Sequence, residues 1–174
     1  KPFLPKINLE KLKFNSNNNF SFKINKKFKI EDFILDSNLS IDEFLVLNKL
    51  NLKNFFPNIN ENFKFSDHEL SIKYNKDSLN IDGKGNILIQ DKDDYITYSL
   101  NEKNKIFNFK TSLKINDNPL KIDSLNFIKK RAFIKLEGLR NKKKEINIKS
   151  FSVNEKTDEI KVNDLTFNKK FEII

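Results

Sequence analysis

The sequence predicts an all-β chain: an antiparallel meander of many short strands, forming a curved sheet or open β-groove, with at most one short helix. Apolar residues recur at every second position through most of the 174 residues, the period that puts one set of side chains on one face of a sheet. Those positions hold Ile, Phe, Leu and Tyr, whereas alanine, the strongest helix former, occurs once, at Ala132. Clusters of Asn, Asp, Gly and Lys separate the apolar runs about every ten residues, the spacing of a hairpin-linked meander. More than half of the residues are expected in strands.

In chain order, residues 1–47 are the least legible part. The asparagine-rich stretch 15–19 reads as an exposed loop between strands, and Phe20-Phe22-Ile24 as the strand that follows. Ser40-Ile41-Asp42-Glu43 has the form of a helix capping box, but Leu45-Leu47 and Leu50-Leu52 alternate, so the segment is read as extended. A helical turn is expected at 53–56, ahead of Pro57. The next runs are Leu70-Ile72-Tyr74, Leu79-Ile81, Ile87-Ile89, Ile96-Tyr98-Leu100, Phe107-Phe109, Leu113-Ile115 and Ile134-Leu136. Turns are expected between them at 82–85, 91–94, 101–105 and 116–119, and later at 138–144 and 154–159.

A pattern recurs in the second half. Residues 120–127, 146–153 and 160–167 each carry two alternating apolar residues, a two-residue polar gap, and two more alternating apolar residues. The gap reverses the phase of a straight strand. A bulge, corner or tight reversal is therefore expected at Asp123-Ser124, Lys149-Ser150 and Asn163-Asp164, preferably a bend rather than a hairpin. Bends stacked in neighbouring strands would curl the sheet into a trough.

Composition narrows the function classes. Lys, Asn, Ile and Phe dominate, as an AT-rich genome favours. The formal net charge of +9 suits an anionic partner, yet the lysines are spread along the chain and mixed with 24 acidic residues. The densest runs, Lys129-Lys130-Arg131 and Lys142-Lys143-Lys144, read as solvated turns. Without cysteine there are no disulfides or thiolate metal sites, and no stretch is long and apolar enough for a membrane-spanning helix. The chain starts at Lys1 and has no methionine, so it is expected to be one β-rich segment, 1–174, of a larger protein.

No enzyme signature is present, and neither a catalytic residue, a metal site nor a cofactor is expected. His68 is the one histidine; flanked by Asp67 and Glu69, it reads as exposed. Asp91, Asp93 and Asp94 lack the glycine and distal glutamate of a calcium loop. Gly83-Lys84-Gly85 lacks the further glycine of a dinucleotide loop and marks a tight turn or a close backbone approach. Asn38-Leu39-Ser40 is a glycosylation sequon, relevant only in a eukaryotic secretory setting. Nucleic acid is not an expected partner, since no recognised module and almost no arginine is present.

From residue 48 to 174 the sequence resembles the AsmA-like family of Gram-negative envelope proteins (the YhdP and TamB type), with the AT-rich bias of alphaproteobacterial members. The residues carrying the likeness are Leu52-Lys-Asn-Phe-Phe-Pro57, the stretch from Leu79 to Ile89, Tyr95-Ile-Thr-Tyr-Ser-Leu100 leading to Phe107-Asn-Phe109, and Leu120 to Lys130. The resemblance implies a periplasmic segment of an inner-membrane-anchored protein serving lipid transfer and outer-membrane biogenesis. It also implies phospholipid acyl chains as ligand and membrane proteins at either end of the parent chain as partners. The expected lipid-facing set is Ile72, Tyr74, Ile81, Ile87, Ile89, Ile96, Tyr98, Phe107, Phe109, Ile115, Ile122 and Ile134. Two other readings fit the same residues: a structural β-sandwich or adhesin-like repeat with a dry core, and a lysine-lined sheet for nucleic acid or an anionic surface.

Overall fold

A computed structural model describes residues 9–48, 51–170 and 172–174. It contains nine strands: β1 (Leu9–Ile24), β2 (Ile30–Leu47), β3 (Asn62–Asn75), β4 (Ser78–Leu88), β5 (Asp93–Lys103), β6 (Ile106–Ile122), β7 (Phe127–Arg140), β8 (Ile146–Glu155) and β9 (Asp158–Phe167). Each pairs antiparallel with the next, so the order in the sheet is the order in sequence. The only helical element among the described residues is a 3-10 turn, Asp123–Leu125, and none of them forms a helix long and apolar enough to cross a membrane. The all-β antiparallel meander read from the sequence is therefore the fold. The sheet is open and uncurled, so stacked bends do not roll it into a trough.

The strands are longer than the apolar runs suggested, because several expected turns lie inside them. The tetrad 82–85 sits in the middle of β4, paired on both sides. Its two glycines admit aromatic rings: a Cβ at Gly83 would meet the Tyr98 ring at 2.3 Å, and one at Gly85 would meet His68 Nδ1 at 2.2 Å. The glycines mark close approach, not a turn. Residues 116–119 form a bulge within β6, with Asp117 at φ 62° and a register shift before Leu120. Residues 15–19, expected as a loop, lie in β1, where Asn15, Asn17 and Asn19 face Ser40, Asn38 and Asp36 of β2. Lys129-Lys130-Arg131 lies in β7 rather than in a turn. In each case ladder hydrogen bonds from neighbouring strands outweigh weak local propensity.

Other turns fall where the chemistry put them. Asn104-Lys105 is a two-residue hairpin with both φ angles positive, 53° and 65°, the signature of a type I′ turn. The phase-reversing gaps also resolve. Asp123-Ser124 is a tight reversal that links β6 to β7, so this copy is a hairpin rather than the bend preferred from sequence. Lys149 is the extra residue of a bulge, since Glu137 pairs with Ser150 and Gly138 with Ile148. Beside it in β9, Asp164 has φ 54°. These two irregularities keep Ile148 with Phe151, and Leu165 with Val162, on one face.

Among the described residues, the extensive strand contacts are between sequence neighbours, and no second sheet covers the first. The segment between β2 and β3 instead folds back over one end. Phe56 N donates to Leu52 O in a helical turn, Asn60 N donates to Ile89 O, and Lys121 N donates to Phe55 O. This lays Leu52, Phe56 and Ile59 against Ile87, Ile89, Ile115, Leu120 and Phe127, which form the one buried apolar cluster among the described residues.

Candidate functional site

Partners in an antiparallel ladder point to the same side of the sheet, so register assigns every strand residue to a face. One row runs Ile72, Ile81, Leu100, Phe109 across β3 to β6. The next is Tyr74, Leu79, Glu102, Phe107. A third runs Ile96, Leu113, Ile134, Val153, Ile160 from β5 to β9. Tyr98 lies over Gly83, Ile87 pairs with Phe65, Ile115 with Ala132 and Ile122 with Phe127. Together with Ile89 in the buried cluster, all twelve residues singled out from the sequence stand on one apolar face.

That face has two parts. At the end closed by the β2–β3 segment, Ile87, Ile89 and Ile115 are buried, the last with 1% of its surface exposed. Ile96, Ile122 and Ile134 pack against them. Toward the opposite end no described residue lies over the sheet. Tyr74 is 40% exposed, Leu100 37% and Phe20 64%, while Ile72, Ile81, Phe107 and Phe109 are half-buried. Stacked rings of Phe44 and Phe65, with centroids 4.3 Å apart, lie between the two parts. The site is thus an open apolar face with a covered floor at one end, not a walled groove. Its uncovered half includes β1 side chains that the sequence reading did not assign: Phe14, Phe20, Phe22 and Ile24 are all exposed.

His68, read as exposed, is buried on this face with 1% of its surface accessible. His68 is in phase with Leu70, Ile72 and Tyr74 on β3, and the bulge at Asp67, where φ is 49°, brings Phe65 onto the same face. There the imidazole meets the edges of Phe44 and Phe65 and stacks with Tyr98 at 5.8 Å. Neither ring nitrogen has a hydrogen-bond partner. Burial among apolar rings pushes the imidazole pKa down; the backbone at Ser66 and Asn86 opposes this more weakly.

The covered end is held by polar groups that periodicity alone does not reveal. Gln90 is buried; its Oε1 accepts from Asn58 N, its Nε2 donates to Pro119 O, and its carbonyl accepts from Asn60 Nδ2. Asp94, expected in a turn, is buried in β5 and accepts from Asn116 N and Asn118 Nδ2. Desolvation pushes its carboxyl pKa up, against those two hydrogen bonds. The signal that could have found this floor is the Asn, Gln and Asp content of 58–60, 90–94 and 116–118.

The other face is polar. Lys64 pairs with Glu43 at 2.7 Å and Lys84 with Glu69 at 2.8 Å, while Thr97 and Ser112 share a hydrogen bond across β5 and β6. A shallow depression of about 900 Å³ lies over this face, lined by Asn17, Asn38, Ser71, Asp82, Thr97 and Ser112. Leu39, Leu70 and Tyr98 also contribute to its lining. The sequon residue Asn38 is exposed. Among the described residues no group of three or more acidic or histidine side chains could hold a metal ion.

The chain matches no known family model, no curated protein and no solved structure. The geometry of the site suits the burial of apolar surface.

Proposed function

We propose that the chain is a non-enzymatic segment of an envelope lipid-transfer or outer-membrane-biogenesis protein, and that its open apolar face holds phospholipid acyl chains. One observation carries this reading: the twelve residues lie on one face of a single-layer sheet, and among the described residues nothing covers the outer half of that face. Exposed apolar surface of that extent on a monomer marks a binding surface. Acyl chains need shape and apolar area alone, and gain roughly 0.8 kcal/mol for each CH₂ buried. The resemblance of residues 48–174 to AsmA-like proteins supports the same ligand and a periplasmic setting.

The test is lipid capture. Phospholipid is expected to co-purify and to be detected by mass spectrometry of the native protein. The two parts of the face separate the outcomes. Phe109→Asp, on the uncovered part, is expected to leave the fold intact while capture falls, because the carboxylate stays hydrated. Ile89→Asp, beneath the β2–β3 segment, is expected to unfold that end, because it buries an unpaired charge. Absence of bound lipid, together with unfolding by Phe109→Asp, would exclude the reading and leave a face that must be covered by protein.

A further inference from the structure

In an odd-numbered antiparallel meander, the connections that leave odd strands all lie at one end of the sheet. Here those connections are lysine-rich and their design recurs. Asn25 Oδ1 accepts from Lys27 N and Lys29 N, Asn141 Oδ1 from Lys143 N and Glu145 N, and Asn168 Oδ1 from Lys170 N and Glu172 N. In each loop the asparagine folds the backbone around its own side chain and leaves the two following lysines in solvent: Lys26-Lys27, Lys142-Lys143 and Lys169-Lys170. The two tight turns between them add Lys76 and Lys105, also exposed. None of these lysines takes part in the ion pairs found among the described residues.

The other end differs. Its connections carry Lys53, Lys92 and Lys156 against Glu61, Asp91 and Asp123, and Lys92, Lys121 and Lys129 there are paired with Asp117, Asp123 and Glu155. The excess of cationic charge thus gathers at the end where the apolar face is uncovered. The first hairpin also presents Phe28 at its tip, 91% exposed with φ 58°, flanked by exposed Ile24 and Ile30.

We infer that this row of Asn-Lys-Lys hairpins docks the open end of the sheet on an anionic lipid surface. The lysines lie against the headgroups and Phe28 inserts between them. A polybasic row with an exposed aromatic tip fits the charged-over-apolar layering of a bilayer interface. A duplex nucleic acid would satisfy the lysines and leave Phe28, Ile24 and Ile30 in water. The inference rests on the acyl-binding reading for the choice of lipid among polyanions, and it gives that face a direction: chains would enter at the hairpin end and stop at the covered floor.

The test is flotation of the intact chain with vesicles of phosphatidylcholine alone, or of phosphatidylcholine with phosphatidylglycerol, across a salt series. Binding is expected for the anionic vesicles only, weakening with salt. Neutralising Lys142 and Lys143 to Gln should lower partitioning about five-fold for each lysine. Neutralising Lys130 and Lys156, which are exposed at the other end, should change it little. Phe28→Ser should weaken binding at high salt more than at low salt. Circular dichroism of each variant checks the fold. Equal binding to both vesicle types, equal loss from both lysine pairs, or binding to duplex DNA with unaltered affinity in Phe28→Ser would each overturn the inference. Lipid extracted from the purified chain is scored separately, so acyl capture without docking, or docking without capture, tells which of the two readings has failed.

Discussion

His68 and Gly85 form one contact whose chemistry predicts a pH response. The imidazole is buried, lacks hydrogen bonds, and has its pKa held below the ordinary value of 6.5. Above the unfolded value both states bind no proton and this group leaves stability at its full level. As pH falls through about 6.5, the unfolded chain takes up the proton first, and stability declines until the folded-state pKa is reached. Urea unfolding should show a midpoint that drops as pH falls below about 6.5, and His68→Leu should flatten the part of that slope due to this group. The backing glycine is predicted to be intolerant. A Cβ at Gly85 would come within 2.8 Å of the His68 Cα, which is backbone, whereas the three atoms nearest a Cβ at Gly83 all belong to the Tyr98 side chain. Gly85→Ala should therefore cost about 1–3 kcal/mol, and Gly83→Ala less, as measured by the same unfolding curves.

The β2–β3 segment is the element that turns part of a bare sheet into a core. Phe56 is its apolar anchor and Gln90 its polar one. Truncating Phe56→Ala removes a buried ring and is predicted to cost about 3–5 kcal/mol. Gln90→Leu would strand Asn58 N and Pro119 O, at about 1–3 kcal/mol for each buried group left unpaired. Hydrogen exchange should report both changes locally: protection is lost first at Asn60, whose amide ties the segment to Ile89, and at Lys121, whose amide ties β6 to Phe55 of the segment. A uniform loss over all nine strands would show that the segment is not a separate unit of stability.

At the scale of the whole chain, a single layer leaves its apolar face to water, lipid or another copy. Residues such as Phe20, Phe22 and Ile24 on β1 are exposed side by side, and β1 is also an unpaired edge of the sheet among the described residues. Stripping lipid from the chain should therefore drive self-association through this face. Sedimentation velocity should show monomer when lipid is bound and dimer or larger species after delipidation. A chain that stays monomeric and folded in both states would mean that the face needs no ligand. Such a result would turn the functional question toward the hairpin end.

Much of this was legible in the residues, and the boundary has a physical cause. Alternation of Ile, Phe and Tyr from Phe20 onward determined an antiparallel all-β meander. It also determined the twelve residues of one face, because a side-chain period of two is a property of the strand alone. The pattern shared by 146–153 and 160–167 likewise called for an irregularity in each, found as the Lys149 bulge and the positive φ of Asp164. What local chemistry did not decide is which polar tetrads turn and which continue. Residues 82–85 and 104–105 have similar propensities, but in the first, partners on both sides supply ladder hydrogen bonds and the rings of Tyr98 and His68 fill the space over the glycines. Only the tertiary structure could decide that His68, in phase with Leu70, Ile72 and Tyr74, is covered, since the bulge at Asp67 brings Phe65 onto its face and Tyr98 stacks on it. Only it could bring the four odd-strand connections and the turn after β9 to one end, because that neighbourhood depends on strands pairing in sequence order and not on any property of the loops themselves.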